Sequence, residues 1–219
     1  MKQSTIRVPL LLLLTGFVRL NAQSLPNYKL GLTAGANMAR FIEQGVSNTF
    51  FPACRFGLAL EQRLTHRTAL SYELLYSRQG NMCYFSNPGL FDRLRTKSDY
   101  LLLPVSLRYK LKNSPVVLTP GIQLGYLIKY QVDFLPKNGH TNPDNPFLQR
   151  AEYGAFFGIG FRLGKHLFTE ARYSQSLRSS LRSFVGVDPV TGLAVTKKSP
   201  ERYNQMVSLS LTYYPFHRQ

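Results

Sequence analysis

The chain has 219 residues, 44% of them apolar or aromatic, and a formal charge of +16 at pH 7. That length is one domain's worth, and beyond the first residues no apolar run is long enough to cross a bilayer as a helix. A basic balance can signal nucleic acid, but these cations are scattered along alternating segments rather than interleaved with stacking aromatics, so nucleic acid is excluded and anionic lipid headgroups are the expected counter-charge.

The first element reads as a secretory signal peptide. Lys2 and Arg7 give a basic start, Val8 to Val18 an apolar core, and Asn21-Ala22-Gln23 a cleavage site after Ala22. A transmembrane helix competes, but the run is too short for a core of about 30 Å. Residues 1–22 are therefore set aside as signal, and 23–219 form one β-barrel domain with a charge of +13. Without a Cys beside the cleavage site, a lipoprotein anchor is not expected.

Eight strands follow, over roughly 28–41, 53–64, 68–82, 100–111, 116–134, 151–163, 167–176 and 205–216. Each alternates with period two, which puts apolar side chains on one face and polar ones on the other. In the second, Phe56, Leu58 and Leu60 oppose Arg55, Gly57, Ala59, Glu61 and Arg63. In the third, Leu70, Tyr72, Leu74 and Tyr76 oppose Ser71, Glu73, Ser77 and Gln79. The fourth sets Leu101, Leu103, Val105, Leu107 and Tyr109 against Ser106, Arg108 and Lys110. The fifth is the most regular: every even position from Leu118 to Phe134 is apolar or aromatic. It is about three times longer than a common soluble strand of about 5–6 residues. The sixth alternates from Tyr153 to Leu163. The seventh breaks the pattern, because Phe168 falls on the face of Glu170, Arg172 and Ser174. In the last, Tyr214 and Phe216 take the opposite parity to Val207, Leu209 and Leu211, with Pro215 marking a kink.

The connections alternate in length: 11, 3, 17, 4, 16, 3 and 28 residues. Outer-membrane barrels have this asymmetry, with short periplasmic turns and long external loops on an even number of strands. Gly31, Gly35, Gly57, Gly121, Gly125, Gly154, Gly158 and Gly160 all fall on the polar face, where a narrow lumen needs room and curvature. An eight-stranded, antiparallel, up-and-down transmembrane β-barrel with both ends periplasmic is therefore expected.

The lumen of such a barrel would hold Arg55, Glu61, Arg63, Glu73, Arg108, Lys129, Glu152, Arg162, Glu170 and Arg172, with Lys110 and Asp133 on the same parity. Two readings are available, a salt-bridged plug and a basic anion pore. Eight strands leave a lumen that side chains can fill, which favours the plug. Tyr72, Tyr76, Tyr109, Tyr126, Tyr130, Tyr213 and Phe134 suit an aromatic girdle at the lipid headgroups. Cys54 and Cys83 have two readings: a disulfide clipping two strands in an exported protein, or two free thiols, as their opposite face parity suggests.

Several segments resemble the PorT-like outer-membrane β-barrel family of the Bacteroidota. The opening Tyr28-Lys29-Leu30-Gly31-Leu32-Thr33-Ala34-Gly35-Ala36-Asn37 is similar to its first strand, with a Gly-x-x-x-Gly-x-Asn pattern. Tyr100-Leu101-Leu102-Leu103-Pro104, followed by Tyr109, resembles its Tyr-Leu-x-x-Pro-x-x-x-x-Tyr strand. Gly121 to Tyr126 and Glu170 to Ser174 fit later strands. The resemblance implies an outer-membrane location and, as for the founding member, a link to type IX secretion.

The functional expectation is a non-enzymatic barrel with a structural, assembly or partner-binding role. Its expected partners are outer-membrane lipids and lipopolysaccharide, the barrel-assembly machinery during biogenesis, and secretion-system components. The longest loop, 177–204, carries Arg178, Arg182, Lys197, Lys198 and Arg202 against Asp188 and Glu201, a local +3 suited to lipid or partner contact. The alternatives are a narrow diffusion channel and a lipid A-modifying enzyme. Of His66, His140, His166 and His217, only His140 would reach the outer leaflet, with no Ser or acid placed beside it. No His, Cys or carboxylate cluster has metal-ligand spacing and no phosphate-binding glycine loop precedes a helix, so no metal or other cofactor is expected.

Overall fold

The computed structural model describes residues 28–43, 48–84, 93–135, 139–141, 149–179, 184–187, 194–197 and 202–217. The expected signal peptide lies outside them, as do Arg182 and Lys198. The elements are β1 (Tyr28–Glu43), β2 (Asn48–Arg63), β3 (Thr68–Tyr84), β4 (Arg93–Lys110), β5 (Val116–Leu135), β6 (Gly139–Thr141), β7 (Ala151–Leu163), β8 (Leu167–Ser176), β9 (Phe184–Val187), β10 (Ala194–Lys197) and β11 (Arg202–His217).

Eight of these form one antiparallel sheet in the order β4-β3-β2-β1-β11-β8-β7-β5, and a β4–β5 ladder closes it on itself. Closure leaves no edge among the wall strands. The eight expected strands are these eight. β6 adds a short hairpin to the end of β5, and β9 and β10 pair with each other as a separate ribbon. The longest loop thus contains a hairpin of its own, and Arg202, expected in that loop, starts β11 opposite Glu43.

Three short turns, 64–67, 111–115 and 164–166, mark one end of the barrel. Two of them need left-handed backbone, supplied by Asn113 at φ 55° and Gly164 at φ 71°. The wall is inverted relative to a water-soluble protein. Leu32, Ile122 and Leu209 are 58%, 63% and 61% exposed, whereas Arg55, Glu61, Arg108, Glu170 and Arg172 are buried inside. An apolar band around the whole wall is far larger than soluble monomers tolerate, so it faces lipid. Tyr109, Tyr126 and Tyr213 are exposed on that outer face, and Tyr76 stacks with Phe56 there at 5.1 Å between ring centroids.

Besides a register shift in the β2–β3 ladder between Phe50 and Arg55, two bulges adjust the alternation. In the β4–β5 ladder Tyr100 pairs with Leu127 but Asp99 pairs with Lys129, so Ile128 is an extra residue. One extra residue exchanges the faces of everything beyond it. Tyr130, expected in the girdle, therefore turns inward and packs on the lumen's apolar cluster. Lys129, expected in the lumen, is exposed, and Asp133 pairs with Lys97 at 2.8 Å beyond the bulge. The second bulge lies where β11 passes Gly31: Leu32 pairs with Tyr213 and Leu30 with Phe216. This accounts for the odd parity of Tyr214, which points into the lumen and is 1% exposed.

No disulfide joins the two cysteines: Cys54 is exposed and Cys83 is buried, accepting from Asn81 Nδ2 at 3.0 Å. The disulfide reading is thereby overturned. Cys54 pairs with Ala36 on the outer face, and Cys83 belongs to the inward set of β3 with Gln79 and Asn81.

Candidate functional site

Among the described residues, chemistry-bearing side chains from many strands converge in the lumen. Its ionic tier is centred on Glu73 of β3. Arg172 Nη2 lies 2.8 Å from its Oε1, Arg108 Nη2 3.5 Å from the same oxygen, and Arg55 Nη2 3.5 Å from Oε2. Glu170 accepts from Arg172 Nε at 2.8 Å and from the Thr119 hydroxyl at 2.9 Å. Glu61 is shared: Arg108 Nη1 donates to Oε2 at 2.7 Å and Arg162 Nη2 to Oε1 at 2.6 Å.

Arg108 is the hub. It is 1% exposed, touches all three glutamates, and also donates to the Tyr214 hydroxyl. Two aromatic faces close the tier, with the Arg108 guanidinium 4.2 Å from the Phe168 ring centroid and that of Arg172 4.2 Å from Phe156. Phe168, the residue that broke the alternation of its strand, is therefore a lumen residue by function. Gly160 faces it, and a methyl group at Gly160 would collide with the Phe168 ring. The opposing charges lie on different strands, so each ion pair also ties the wall across its interior. Seven of the eight wall strands contribute a member, from Arg55 and Glu61 on β2 to Tyr214 on β11.

Above this tier the lumen is filled by apolar and neutral polar side chains together, with buried Asn37 donating to the Ser77 hydroxyl at 2.8 Å and to Met206 Sδ at 3.3 Å. Ala39, Leu75, Tyr100, Leu102, Leu127 and Met206 form a buried cluster, with Tyr130 against it. Glu152 stands beside this cluster, turned toward Tyr100, Ser176 and Asn204 rather than toward an arginine.

Of the ten charged residues expected in the lumen, Arg55, Glu61, Glu73, Arg108, Arg162, Glu170 and Arg172 come together in the tier. Arg63 does not: it is exposed at the short-turn rim, where its Nε donates to the Thr65 carbonyl at 3.3 Å. Lys129 does not either, because of the Ile128 bulge. Sequence reasoning missed Thr119, Tyr214, Phe156 and Phe168 as members. Their inward parity was legible, but which charge each would meet was not. At the other end, Arg178 is exposed with its guanidinium 6.0 Å from the Tyr153 ring, and Arg202 lies 4.3 Å from the Phe41 ring. Lys197 ends the β9–β10 ribbon opposite Phe184. Only the backbone of His140 is described; it pairs with Asp133 across the β5–β6 ladder.

A closed antiparallel barrel with a lipid-compatible exterior and a charged, filled interior defines a transmembrane barrel of the bacterial outer membrane. The sequence agrees: residues 21–182 match the family described as outer membrane protein beta-barrel domain, and the chain belongs to that family. The short turns are then periplasmic and the long loops external.

Among solved structures, the protein is similar to Neisserial surface protein A, at 12% identity over 84% of this chain and 96% of that one, with a TM-score of 0.48. Ail, the attachment invasion locus protein of Yersinia pestis, matches at 11% identity over 86% and 99%, with a TM-score of 0.47. OprG from Pseudomonas aeruginosa matches at 12% identity over 90% and 100%, with a TM-score of 0.39. No curated protein matches the sequence.

Proposed function

We propose that this protein is a non-enzymatic outer-membrane barrel, closed to ions, whose external end makes contacts with partners or lipopolysaccharide. The observation that carries this reading is the filled lumen. An ion crossing it would have to break the Glu61–Arg108–Glu73 pairs and then displace the packed side chains around Leu75, Leu102 and Leu127. Both steps are costly where water is excluded. The same saturation opposes catalysis in the ionic tier, since its three carboxylates are each held by arginine and offer no free base. The exposed Arg178 supports an external contact with anionic groups, as does the basic balance of the loop that follows it.

Recordings from the purified protein in planar bilayers test the closed lumen. Silence is the expected result, and stable conductance steps would overturn it in favour of a diffusion channel. The finer reading, a part in type IX secretion, rests on the resemblance of the β1 and β4 segments to PorT-like barrels. Deleting the gene and comparing culture supernatants tests it. Loss of type IX cargo, retained in the periplasm, is the supporting result; an unchanged secretome removes that role and leaves the structural one.

A further inference from the structure

The periplasmic end of the barrel has a charge distribution that neither the plug nor the external contact explains. Its three turns contain Arg67, Lys112 and Lys165 and not one acidic residue. Inside the rim, a cavity of about 180 Å³ is lined by Lys29, Arg63, Arg67, Lys110 and Arg162, with Arg108 at its floor and Glu61 as its single carboxylate.

Glu61 cannot neutralise this ring. Both its oxygens are taken, one by Arg108 and one by Arg162. Lys29 sits directly opposite Glu61 in the β1–β2 ladder, is only 9% exposed, and still makes no ion pair with it. Four further cationic groups thus converge on one concavity from β1, β2, β4 and a turn: Lys29, Arg63, Lys110 and Arg67. Holding like charges together is costly unless an anion sits among them. The anion must offer more than the two oxygens of a carboxylate to reach donors on several sides. A phosphate group does, and arginine and lysine are its usual ligands.

We propose that the periplasmic mouth is a binding site for a phosphate group, with Lys29, Arg63, Arg67 and Lys110 as its ligands. The phosphate has two natural sources: the headgroup of an anionic phospholipid in the periplasmic leaflet, or a soluble phosphate monoester small enough for the cavity. The cavity rests on the ionic tier, sharing Glu61, Arg108 and Arg162 with it, but its four proposed ligands lie outside that tier and away from the external end, so the site stands whether or not the external contact holds.

The test uses the full-length barrel refolded in neutral detergent. Calorimetric titration with sn-glycerol 3-phosphate probes the soluble source, and native mass spectrometry with added phosphatidylglycerol probes the lipid source. Three proteins are compared: the parent, the double variant Lys29→Gln/Arg63→Gln, and a control, Lys129→Gln/Arg150→Gln, whose exposed cations lie at the outer end and outside the proposed external contact. Binding of at least one probe is expected, weakened about tenfold or more in the mouth variant, the scale of one lost hydrogen bond to a charged group. The control should match the parent. Binding of glycerol phosphate alone assigns the soluble source, and retention of phosphatidylglycerol alone assigns the lipid. If neither probe binds, or the control weakens as much as the mouth variant, the site does not exist. Should Lys29→Gln/Arg63→Gln not refold, Arg63→Gln/Arg67→Gln removes two exposed rim cations outside the ion-pair tier and reads out the same loss.

Discussion

Glu73→Gln is the sharpest test of how the lumen is held. The substitution keeps the volume of the side chain and removes only its charge. Glu73 is 5% exposed and meets Arg172 at 2.8 Å, Arg55 at 3.5 Å and Arg108 at 3.5 Å. At an effective dielectric of about 20, one such pair is worth about 4 kcal/mol before desolvation. The carboxylate itself costs several kcal/mol to bury, so most of that attraction is already offset in the parent. Removing the charge leaves four arginines facing only Glu61 and Glu170. The expected net loss is about 3–5 kcal/mol, the scale of a buried pair broken from one side. The assay is urea titration of the barrel in lipid vesicles, followed by heat-modifiable gel migration, since the chain has no Trp to report folding. Glu73→Gln combined with Arg172→Gln should cost less than the two single losses added together, because the second change relieves the charge stranded by the first. A loss below about 1 kcal/mol for Glu73→Gln, or strict additivity in the double variant, would refute the reasoning.

The remaining predictions concern the wall. Gly160→Ala should destabilise by about 1–3 kcal/mol through its collision with the Phe168 ring, and Phe168→Leu in the same chain should recover part of that loss in the same titration. In a background lacking both native cysteines, Lys129→Cys should react with a membrane-impermeant maleimide and Tyr130→Cys should not; equal labelling would mean that the Ile128 bulge is absent. Thiol titration of the unfolded, never-reduced protein should find two reactive thiols and no disulfide, and reductant should leave the urea midpoint unchanged. A midpoint that falls on reduction would restore the disulfide.

The barrel class was legible because its signal is local. A strand shows its two faces to any reader who counts by two, and the alternation of short and long connections needs no knowledge of what pairs with what. The polar parity of Arg55, Glu73, Arg108 and Arg172 was equally plain. Their pairing was not, because Arg172 and Glu73 are 99 residues apart and meet only through strand stagger around a closed wall. The odd parity of Phe168 and Tyr214 was visible as an irregularity, but its meaning was not: both are turned inward onto Arg108.

The sequence by itself therefore determined the number of strands, their faces, the two ends of the barrel and the sign of the charge it carries. These follow from period-two patterning and turn chemistry, which act over a few residues. Tertiary structure alone decided where parity reverses at Ile128, which carboxylate holds which arginine, and why Lys29 faces Glu61 without pairing to it. Each of these depends on the register of one strand against another, and register is a property of the closed sheet rather than of any single strand.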